Sequence, residues 1–308
     1  MKIYQDITQP NGELSLALGF FDGLHKGHQS VIAAAVQQKK HGLIPAILTF
    51  SDSPHGVLSK KTVPRLITRE NRYELLEQLG IEALYELDFE SIRNIPPEAF
   101  VSEILHSALG AKKVFCGFNY RFGKAGAGDE KALHTFCAQH GISAVTLPPV
   151  LFENEVVSST RIRTALANGE IKKANQMLGR RFSFDFTVRH GNELGRKMET
   201  PTINQPIPAD FILPKFGVYA AFAIIGGKAH RAVTNIGIKP TVGSDSPLAE
   251  TWILDENIGS LYGLNPKIEL VEFIRPEKKF SGINELQAAI LRDGETAKNI
   301  FESIGTAL

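Results

Sequence analysis

The first half of the sequence alternates between short apolar runs and longer amphipathic segments, and this alternation limits the possible folds more than any other feature. The apolar runs predict strands at Leu14 to Phe20, Pro45 to Phe50, Ala83 to Phe89, Lys112 to Phe118 and Ser143 to Val150. The segments between them predict helices at Lys26 to Lys40, Arg69 to Leu79, Pro96 to Leu109 and Asp129 to His140. Strands that alternate with helices predict a parallel, Rossmann-like sheet with helices on both faces.

The pattern changes after Val150. Two helical stretches follow, Ser159 to Ala167 and Ile171 to Leu178. The later predicted strands are Phe184 to His190, Gly217 to Ile225, Lys228 to Ile236, Glu250 to Asp255 and Lys267 to Arg275. The last segment, Gly282 to Ile304, is helical, and its expected inward positions are Ile283, Leu286, Ile290 and Leu291. We therefore predict an α/β domain over residues 1–181 and, over residues 182–308, a small antiparallel β-barrel with a C-terminal helix.

Composition excludes several classes of partner. The 308 residues carry a formal net charge of +1 without a run of Lys and Arg, so neither nucleic acid nor an anionic membrane is an expected partner. The two cysteines, Cys116 and Cys137, suit a reducing compartment. The N-terminus lacks the layout of a signal peptide, and no apolar run approaches the length of a membrane span. A cytoplasmic location is expected.

The most informative segment is the loop between the first predicted strand and helix, residues 19–28, Gly-Phe-Phe-Asp-Gly-Leu-His-Lys-Gly-His. Ligands of open α/β sheets bind outside the carboxyl ends of the strands, where a helix N-terminus favours anions. Gly23 and Gly27 would let phosphates approach the backbone, and His25 and His28 could donate hydrogen bonds to one ligand. The spacing alone also fits surface or capping histidines.

A second cluster lies at the start of the helix predicted from Ser159. Its hydroxyl residues are Ser158, Ser159 and Thr160, and two arginines, Arg161 and Arg163, follow them. Hydroxyls before a helix commonly act only as caps, and nearby arginines commonly form a solvated face. Together at a helix N-terminus they also make an anion site that suits a polyphosphate.

The two segments together resemble the paired signatures of the nucleotidyltransferase superfamily with a paired-histidine loop. Residues 117–123, Gly-Phe-Asn-Tyr-Arg-Phe-Gly, resemble the third segment of its flavin branch, bacterial FAD synthetase. The resemblance implies attack of the FMN phosphate on the α-phosphorus of Mg-ATP, with His25 and His28 on the ATP phosphates and Arg163 on the leaving pyrophosphate. It implies a flavin contact for Asn119 and nucleotide contacts for Gly19, Phe20, Asp22, Gly23, Gly27, Ser158, Ser159, Thr160 and Arg161.

Two departures from that family concern the flavin site. Its Phe-x-Pro-His-Pro segment is replaced by Phe50 to Gly56, which reads Phe-Ser-Asp-Ser-Pro-His-Gly. Asn119 stands where aspartate is common. Asp22 fits a loop-capping role as well as a ligand contact.

The second half carries its own motifs. A glycine-containing segment, His190 to Arg196, follows a predicted strand and by itself fits a hairpin loop. Thr202 and Asn204 lie two residues apart on an extended chain, so their oxygen donors point to the same side and suit Mg²⁺ beside substrate phosphates. A polar turn after Pro201 is the alternative.

These segments resemble riboflavin kinases in their order along the chain, from Pro201-Thr-Ile-Asn through the Glu250 segment to Phe273-Ile-Arg-Pro-Glu. The resemblance implies transfer of the ATP γ-phosphoryl group to the riboflavin 5′-hydroxyl. Glu250 would be the general base, with Thr202 and Asn204 on the metal. Gly191, Gly195 and Arg196 would form a flap over the nucleotide, and Arg275 would neighbour the flavin. Glu199-Thr200 departs from the usual Gly-Phe.

The expected protein is therefore a bifunctional enzyme that makes FMN from riboflavin and FAD from FMN, with ATP, riboflavin, FMN and FAD as small-molecule partners and Mg²⁺ as the metal. A monomer or weak homo-oligomer is expected. The alternatives are an enzyme with one inactive half, a nucleotidyltransferase for a pantetheine or nicotinamide phosphate, and a flavin-binding regulatory protein.

Overall fold

A computed structural model describes residues 1–8, 10–190, 201–238, 246–254 and 258–304. The chain forms two compact units. The first comprises Met1–Val63 and Arg69–Ser158, and the second comprises Pro64–Thr68 and Ser159–Leu308. We predicted a domain boundary after residue 181, whereas the contacts group the two helices that precede it with the second unit. Within the described ranges, no helix has the length and apolarity needed to cross a membrane.

The first unit is built on a six-stranded parallel sheet, as predicted. Its strands are β1 (Lys2–Tyr4), β2 (Leu14–Leu18), β3 (Ile44–Phe50), β4 (Ala83–Leu87), β5 (Ala111–Gly117) and β6 (Ser143–Leu147), in the spatial order β1-β4-β3-β2-β5-β6. Only β1 was not predicted; it is a short edge strand paired with β4. A short hairpin of β7 (Leu151–Phe152) and β8 (Glu155–Val156) follows.

Helices lie between these strands. They are α1 (Lys26–Val36), α2 (Pro54–Ser59), α3 (Arg69–Gln78), α4 (Phe89–Ile92), α5 (Pro97–Ala99, continued by a wider π-type helix over Phe100–Ala108) and α6 (Glu130–Gln139). Helix α2 was not predicted. It begins within the segment Phe50 to Gly56, which differs from the family's usual sequence, and there the Ser53 hydroxyl accepts a hydrogen bond from the Gly56 N–H (3.3 Å). Every residue of β2 and β4 is buried, because a parallel sheet is covered on both faces.

The strand order reverses next to β2. From β2 the chain adds β3 and β4 on one side and then returns to place β5 and β6 on the other. The pairings Leu18 with Leu48 and Leu18 with Cys116 bring the carboxyl ends of three strands to the same edge. Such a reversal leaves a crevice in which open α/β sheets bind ligands.

The second unit begins with α7 (Ser159–Asn168) and α8 (Ile171–Leu178) and then forms an antiparallel sheet, as predicted. Its strands are β9 (Phe182–Phe184), β10 (Thr202–Pro206), β11 (Gly217–Ile225), β12 (Lys228–Ile238), β13 (Pro247–Ile253) and β14 (Lys267–Pro276), in the order β10-β13-β12-β11-β14-β9. An isolated bridge from the Arg189 N–H to the Asn204 carbonyl (2.8 Å) brings the chain after β9 back beside β10, so the sheet curves into a half-barrel.

The strand predicted over Phe184 to His190 is wrong beyond Phe184, where β9 ends. Pairing with β14 stops at that residue. The carbonyl of Phe186 instead accepts a hydrogen bond from the Gln205 side-chain amide, which also donates to the Pro266 carbonyl (3.0 Å). A tertiary side-chain contact therefore replaces the ladder that the local sequence favours.

The C-terminal helix, α9 (Ile283–Ser303), packs on the sheet through a face that differs from the predicted one. Ile283 and Leu291 were expected to point inward but are 52% and 50% exposed. The buried positions are Ala289, Asp293, Gly294, Ala297 and Phe301. A Cβ at Gly294 would lie 2.8 Å from the Trp252 ring, so close packing on this tryptophan, and not apolar periodicity, sets the rotation of the helix.

Candidate functional site

The loop between β2 and α1 has a strained backbone. Phe21 and Leu24 have φ values of 56° and 45°, in the left-handed region that costs non-glycine residues roughly 1–2 kcal/mol each. Gly23 has φ 75°, which glycine adopts without that cost. Residues Asp22–Leu24 form a single 3₁₀ turn, and Asp22 is buried. Tertiary contacts must hold such a loop in place.

The two predicted catalytic histidines of this loop come together. Their rings stack, with centroids 3.6 Å apart and an interplanar angle of 18°. His25 caps α1 because its Nδ1 accepts the His28 N–H (3.3 Å), so in neutral His25 the proton lies on Nε2. A Cβ at Gly27 would lie 3.2 Å from the His25 ring, so the glycine allows this approach. The edge of the Phe21 ring packs on His28 at 5.4 Å.

Asn119 lies at the same edge of the sheet. It follows β5, which pairs directly with β2, and the Tyr120 N–H closes a turn onto the Gly117 carbonyl (3.0 Å). The Asn119 side chain is exposed, and its neighbour Phe118 is 43% exposed, so both are accessible to a ligand. The structure thus brings together the predicted residues Gly19, Phe20, Asp22, Gly23, His25, Gly27, His28 and Asn119 around the strand-order reversal.

A buried polar network supports this loop from behind and was not predicted. The Arg72 guanidinium donates to the Phe20 carbonyl (2.9 Å), to the Thr49 hydroxyl (2.7 Å) and to Glu86 (3.2 Å). Tyr73 donates to the other Glu86 oxygen (2.6 Å), and burial followed by this hydrogen bond raises the pKa of Tyr73 to about 12. The sequence gives no signal for the network because its members lie on separate elements.

The hydroxyl and arginine cluster is at the start of α7. Ser158 precedes the helix, and Ser159, Thr160, Arg161 and Arg163 occupy its first turns. Both arginines are partly exposed, while Ile162 between them is buried and anchors the turn. The Arg163 Nε–H donates to the Pro64 carbonyl (2.9 Å), which fixes the direction of the guanidinium. Contact of this cluster with pyrophosphate stays a prediction.

In the second unit, the strand register aligns polar side chains. Asn204 of β10 lies opposite Glu250 of β13, and Glu250 lies opposite Asn235 of β12. Residues directly opposite on antiparallel strands share one face of the sheet. We call Asn204, Glu250 and Asn235 the cross-strand row. The register continues through Val218 of β11 to Arg275 of β14, so four polar residues fall on one line across the sheet.

Asn204 has the features expected of a metal ligand. Its Oδ1 is buried and has no hydrogen-bond partner among the residues that the structure describes, and its Nδ2 makes only a long contact with the Thr202 carbonyl (3.5 Å). Thr202 lies two residues away on the same strand and so on the same face. Hydroxyl and amide oxygens are hard donors, so the pair fits Mg²⁺.

Glu277 adds a second carboxylate beside Glu250, and the sequence interpretation gave it no role. Although Glu277 is exposed overall, its carboxylate lies against Gly237, where a Cβ would be 1.9 Å from Oε1. Partial burial, followed by repulsion from Glu250, raises the pKa of Glu277, and a hydrogen bond with Asn235 opposes the rise. The site therefore holds two carboxyls close to each other.

Arg275 is engaged by α9. Its guanidinium forms a two-pronged ion pair with Asp293, with Nε–Oδ1 at 2.8 Å and an NH2–Oδ2 bond of 2.7 Å, and it lies over the Phe280 ring at 5.7 Å. Asp293 is buried. The arginine therefore connects β14 to the helix, and a flavin contact for it stays a prediction. The predicted flap residues Gly191, Gly195 and Arg196 lie outside the described residues.

Comparison with known families assigns each part of the chain. The family model described as FAD synthetase matches residues 7–161, and the one described as riboflavin kinase matches residues 178–301. The crystal structure described as a macrolide-efflux protein from Streptococcus pneumoniae superposes with a TM-score of 0.86 at 27% identity, covering 96% of this chain and 98% of that one. That description concerns the other protein.

Full-length relatives carry the same two functions in their names. The bifunctional riboflavin kinase/FMN adenylyltransferase of Listeria monocytogenes is 36% identical over 294 residues, which cover 94% of this chain and 93% of the relative. The Bacillus subtilis protein of the same name is 35% identical over 306 residues, which cover 97% and 96%. With both family models matched in order and relatives aligned nearly end to end, the chain belongs to the family of bifunctional riboflavin kinase/FMN adenylyltransferases.

Proposed function

We propose that the chain phosphorylates riboflavin to FMN in its second unit and adenylylates FMN to FAD in its first, with ATP as donor both times. The observation that carries the proposal is that each unit holds a separate set of reactive side chains suited to one of these steps. The histidine pair lies at the strand-order reversal of the first unit, and the cross-strand row lies on the sheet of the second.

In the adenylyl transfer, a phosphate oxygen of FMN attacks the α-phosphorus of ATP. The bond between that phosphorus and the oxygen bridging to the β-phosphorus breaks, and pyrophosphate leaves with its electron pair. No covalent enzyme intermediate is needed, so the protein positions the reactants and stabilises charge. His25 presents its Nε2–H from the helix N-terminus, and His28 stacks beside it.

In the kinase step, the riboflavin 5′-hydroxyl attacks the γ-phosphorus of ATP and ADP leaves. Glu250 accepts the hydroxyl proton as the new bond forms. Its place in the middle of the row, between Asn204 and Asn235, supports this role because amides on neighbouring strands can orient a carboxylate. The strand register fixes the position of Glu250 more rigidly than a loop could.

Mg²⁺ is the proposed metal of the kinase step, held by Thr202 and Asn204 together with substrate phosphates. The buried Oδ1 of Asn204, which lacks a partner within the described part of the chain, supports the fit. When bound, the ion neutralises phosphate charge that develops during transfer.

The test is chromatography of flavin products. The purified protein is incubated with ATP, Mg²⁺ and either riboflavin or FMN. FMN followed by FAD from riboflavin, and FAD directly from FMN, is the expected result. FMN alone would restrict the activity to the kinase and leave the first unit inactive. Flavin binding without conversion of either substrate would instead support the regulatory-protein alternative.

The cytoplasmic location also stays a proposal, supported by two cysteines that are both buried and unpaired with each other. A monomer or weak homo-oligomer without a nucleic-acid partner is proposed on the near-neutral charge, and light scattering with purified protein tests the oligomeric state.

A further inference from the structure

We propose that Arg72 is a positioning residue for adenylyl transfer: it holds the Phe20 carbonyl and so fixes the loop that carries His25 and His28. The inference rests on the proposed adenylyltransferase activity of the first unit. Arg72 itself lies on α3, behind the loop, and is 8% exposed. It acts on the reaction through the protein and is not assigned a contact with substrate.

Two hydrogen bonds converge on one carbonyl, that of Phe20. The Phe20 oxygen accepts from the Arg72 guanidinium (2.9 Å) and from the Thr49 hydroxyl (3.0 Å), and that hydroxyl in turn accepts from Arg72 (2.7 Å). The three groups form a closed triangle at the carboxyl ends of β2 and β3. Thr49 is fully buried, so the triangle is shielded from water, which would otherwise compete for the donors.

The Phe20 carbonyl belongs to the peptide that leads into the strained part of the loop. The Phe20 carbonyl and the Phe21 nitrogen share one rigid plane, so bonds that orient the carbonyl also set the φ rotation of Phe21. Phe21 has the strained φ of 56°, and Leu24 follows with 45°. Strained residues persist only where surrounding structure determines them, and the triangle is the contact that directly orients this peptide.

The strained peptide is connected to both histidines by packing and by chain continuity. The Phe21 ring packs edge-on against the His28 ring (5.4 Å), and the Gln29 side chain donates to the Leu24 carbonyl (2.8 Å). His25 follows Leu24 directly and caps α1. A rotation of the Phe20–Phe21 peptide would therefore move both imidazoles, and a misplacement of about 1 Å can lower a rate by about 100-fold.

A direct electrostatic role for Arg72 toward ATP is the alternative, and the surroundings of Glu86 argue against it. This carboxylate is 4% exposed and bonds Arg72 (3.2 Å) and Tyr73 (2.6 Å), with Arg69 at 3.5 Å. The nearby negative charge offsets that of Arg72. The hydrogen bonds from Arg72 to Glu86, the Phe20 carbonyl and the Thr49 hydroxyl all go to protein groups, so its fixed geometry matters more than its charge.

The experiment compares Arg72→Met with the unaltered protein for both reactions. FAD formation from FMN is expected to lose about 30- to 100-fold in kcat, with KM for ATP changed by less than about 3-fold. FMN formation from riboflavin is the control within the same chain and is expected to change by less than about 2-fold, because additivity holds for distant sites. Arg72→Lys restores the charge and some of the bonds and is expected to recover part of kcat.

A matched control removes another Arg–Glu pair of the first unit. Arg93 and Glu90 form an exposed ion pair (2.7 Å), so Arg93→Met is expected to leave both reactions unchanged. Histidine-ring NMR signals separate positioning from general loss of folding. Of the nine histidines, His25 and His28 are expected to shift in Arg72→Met, while those of the second unit stay in place.

Several outcomes would overturn the inference. They are a kcat for FAD formation within 2-fold of the unaltered protein, a large rise in KM for ATP at unchanged kcat, and a loss of kcat with the His25 and His28 signals unmoved. If Arg72→Met does not fold, Thr49→Val tests the same triangle without leaving a buried charge. It is expected to lower kcat by about 3- to 10-fold, and no change would overturn the inference. Absence of FAD formation by the unaltered protein would overturn the proposed function as well.

Discussion

The two units place their reactive side chains by different physical means. In the first unit, the histidine pair lies on a strained loop whose Phe20–Phe21 peptide is held by contacts from α3 and β3. In the second unit, Asn204, Glu250 and Asn235 lie on adjacent strands and are aligned by main-chain pairing alone. A loop site depends on the side chains that support it, whereas a strand site depends on register, which backbone hydrogen bonds across the sheet determine.

The difference has a consequence for mutations. Changes behind the loop, far from any substrate, can disturb the first site because a rotation of one peptide moves both histidines. Equivalent changes behind a strand of the second unit leave the register intact, because many ladder bonds share the constraint. We expect the adenylyl transfer to respond to supporting residues and the kinase step to respond mainly to residues of the row itself.

The largest effect is expected for His28→Ala. Removal of the imidazole takes away the donor proposed to face the developing phosphate charge, and FAD formation from FMN should fall about 1,000-fold. FMN formation from riboflavin should stay unchanged, since the kinase residues lie in the other unit. Steady-state assays on one preparation measure the rates of FAD formation and of FMN formation. A parallel loss of both activities in a folded protein would contradict the assignment of one site to each unit.

The reverse pattern is expected for Glu250→Gln. The amide keeps the size of the side chain but cannot accept the hydroxyl proton, so FMN formation should fall by about 100- to 10,000-fold. FAD formation from supplied FMN should continue at the unaltered rate. Comparison with His28→Ala, assayed in parallel, is the sharpest test that the sites are separate. Retention of full kinase activity would remove Glu250 from the role of general base.

A smaller effect is expected for Asn204→Ala. Loss of the buried Oδ1 should raise the Mg²⁺ concentration needed for half-maximal kinase activity by about 10- to 100-fold. The Mg²⁺ dependence of FAD formation serves as the control because that reaction takes place in the first unit. If the kinase falls at every Mg²⁺ concentration by one factor, Asn204 supports Glu250 and does not hold the metal.

The smallest effect is expected for Glu277→Gln and concerns pH. Partial burial and the nearby Glu250 raise the pKa of Glu277, so the folded protein binds this proton more tightly than the unfolded chain does. Ionisation of Glu277 therefore destabilises the fold above its folded-state pKa, and this cost disappears as the pH falls below the ordinary range of glutamate. The variant should unfold at a slightly higher temperature at neutral pH, by about 1 °C, because exposure screens the repulsion.

Thermal unfolding of Glu277→Gln and of the unaltered protein across pH 4 to 8 measures how the difference in Tm changes with pH. The gain in Tm should shrink toward acid pH. A gain of the same size at every pH would show that neither the burial of the Glu277 charge nor repulsion from Glu250 is its cause, and the side chain would then act through packing on Gly237.

Local patterns were sufficient for the elements of the first unit. Alternating apolar and amphipathic segments predicted five of the six strands of its sheet, and the glycine and histidine spacing after β2 identified the loop. The sequence did not predict the buried side chains that support this loop. Arg72 and Glu86 look like ordinary surface charges in the sequence, and only the pairing of β3 with β4 and the packing of α3 bring them together.

The rotation of α9 shows the same limit in the second unit. Ile283 and Leu291 satisfied a helical apolar period, yet the helix buries Gly294 and Asp293 because the Trp252 ring and the Arg275 guanidinium already occupy the sheet surface. Periodicity describes one helix, and its packing partner decides which face is buried. Glu277 was missed for a related reason, since its closeness to Glu250 arises from the fold and not from sequence distance.

The sequence by itself determined the class of each unit, the family, and the identity of the side chains available for chemistry, because periodicity and short motifs are encoded within a few residues of one another. The tertiary structure decided which of those side chains meet. The alignment of Asn204 with Glu250 is a matter of strand register, and the strained conformation of Phe21 is a matter of bonds from Arg72 and Thr49. Both depend on pairings between distant segments, whose energies no local pattern contains.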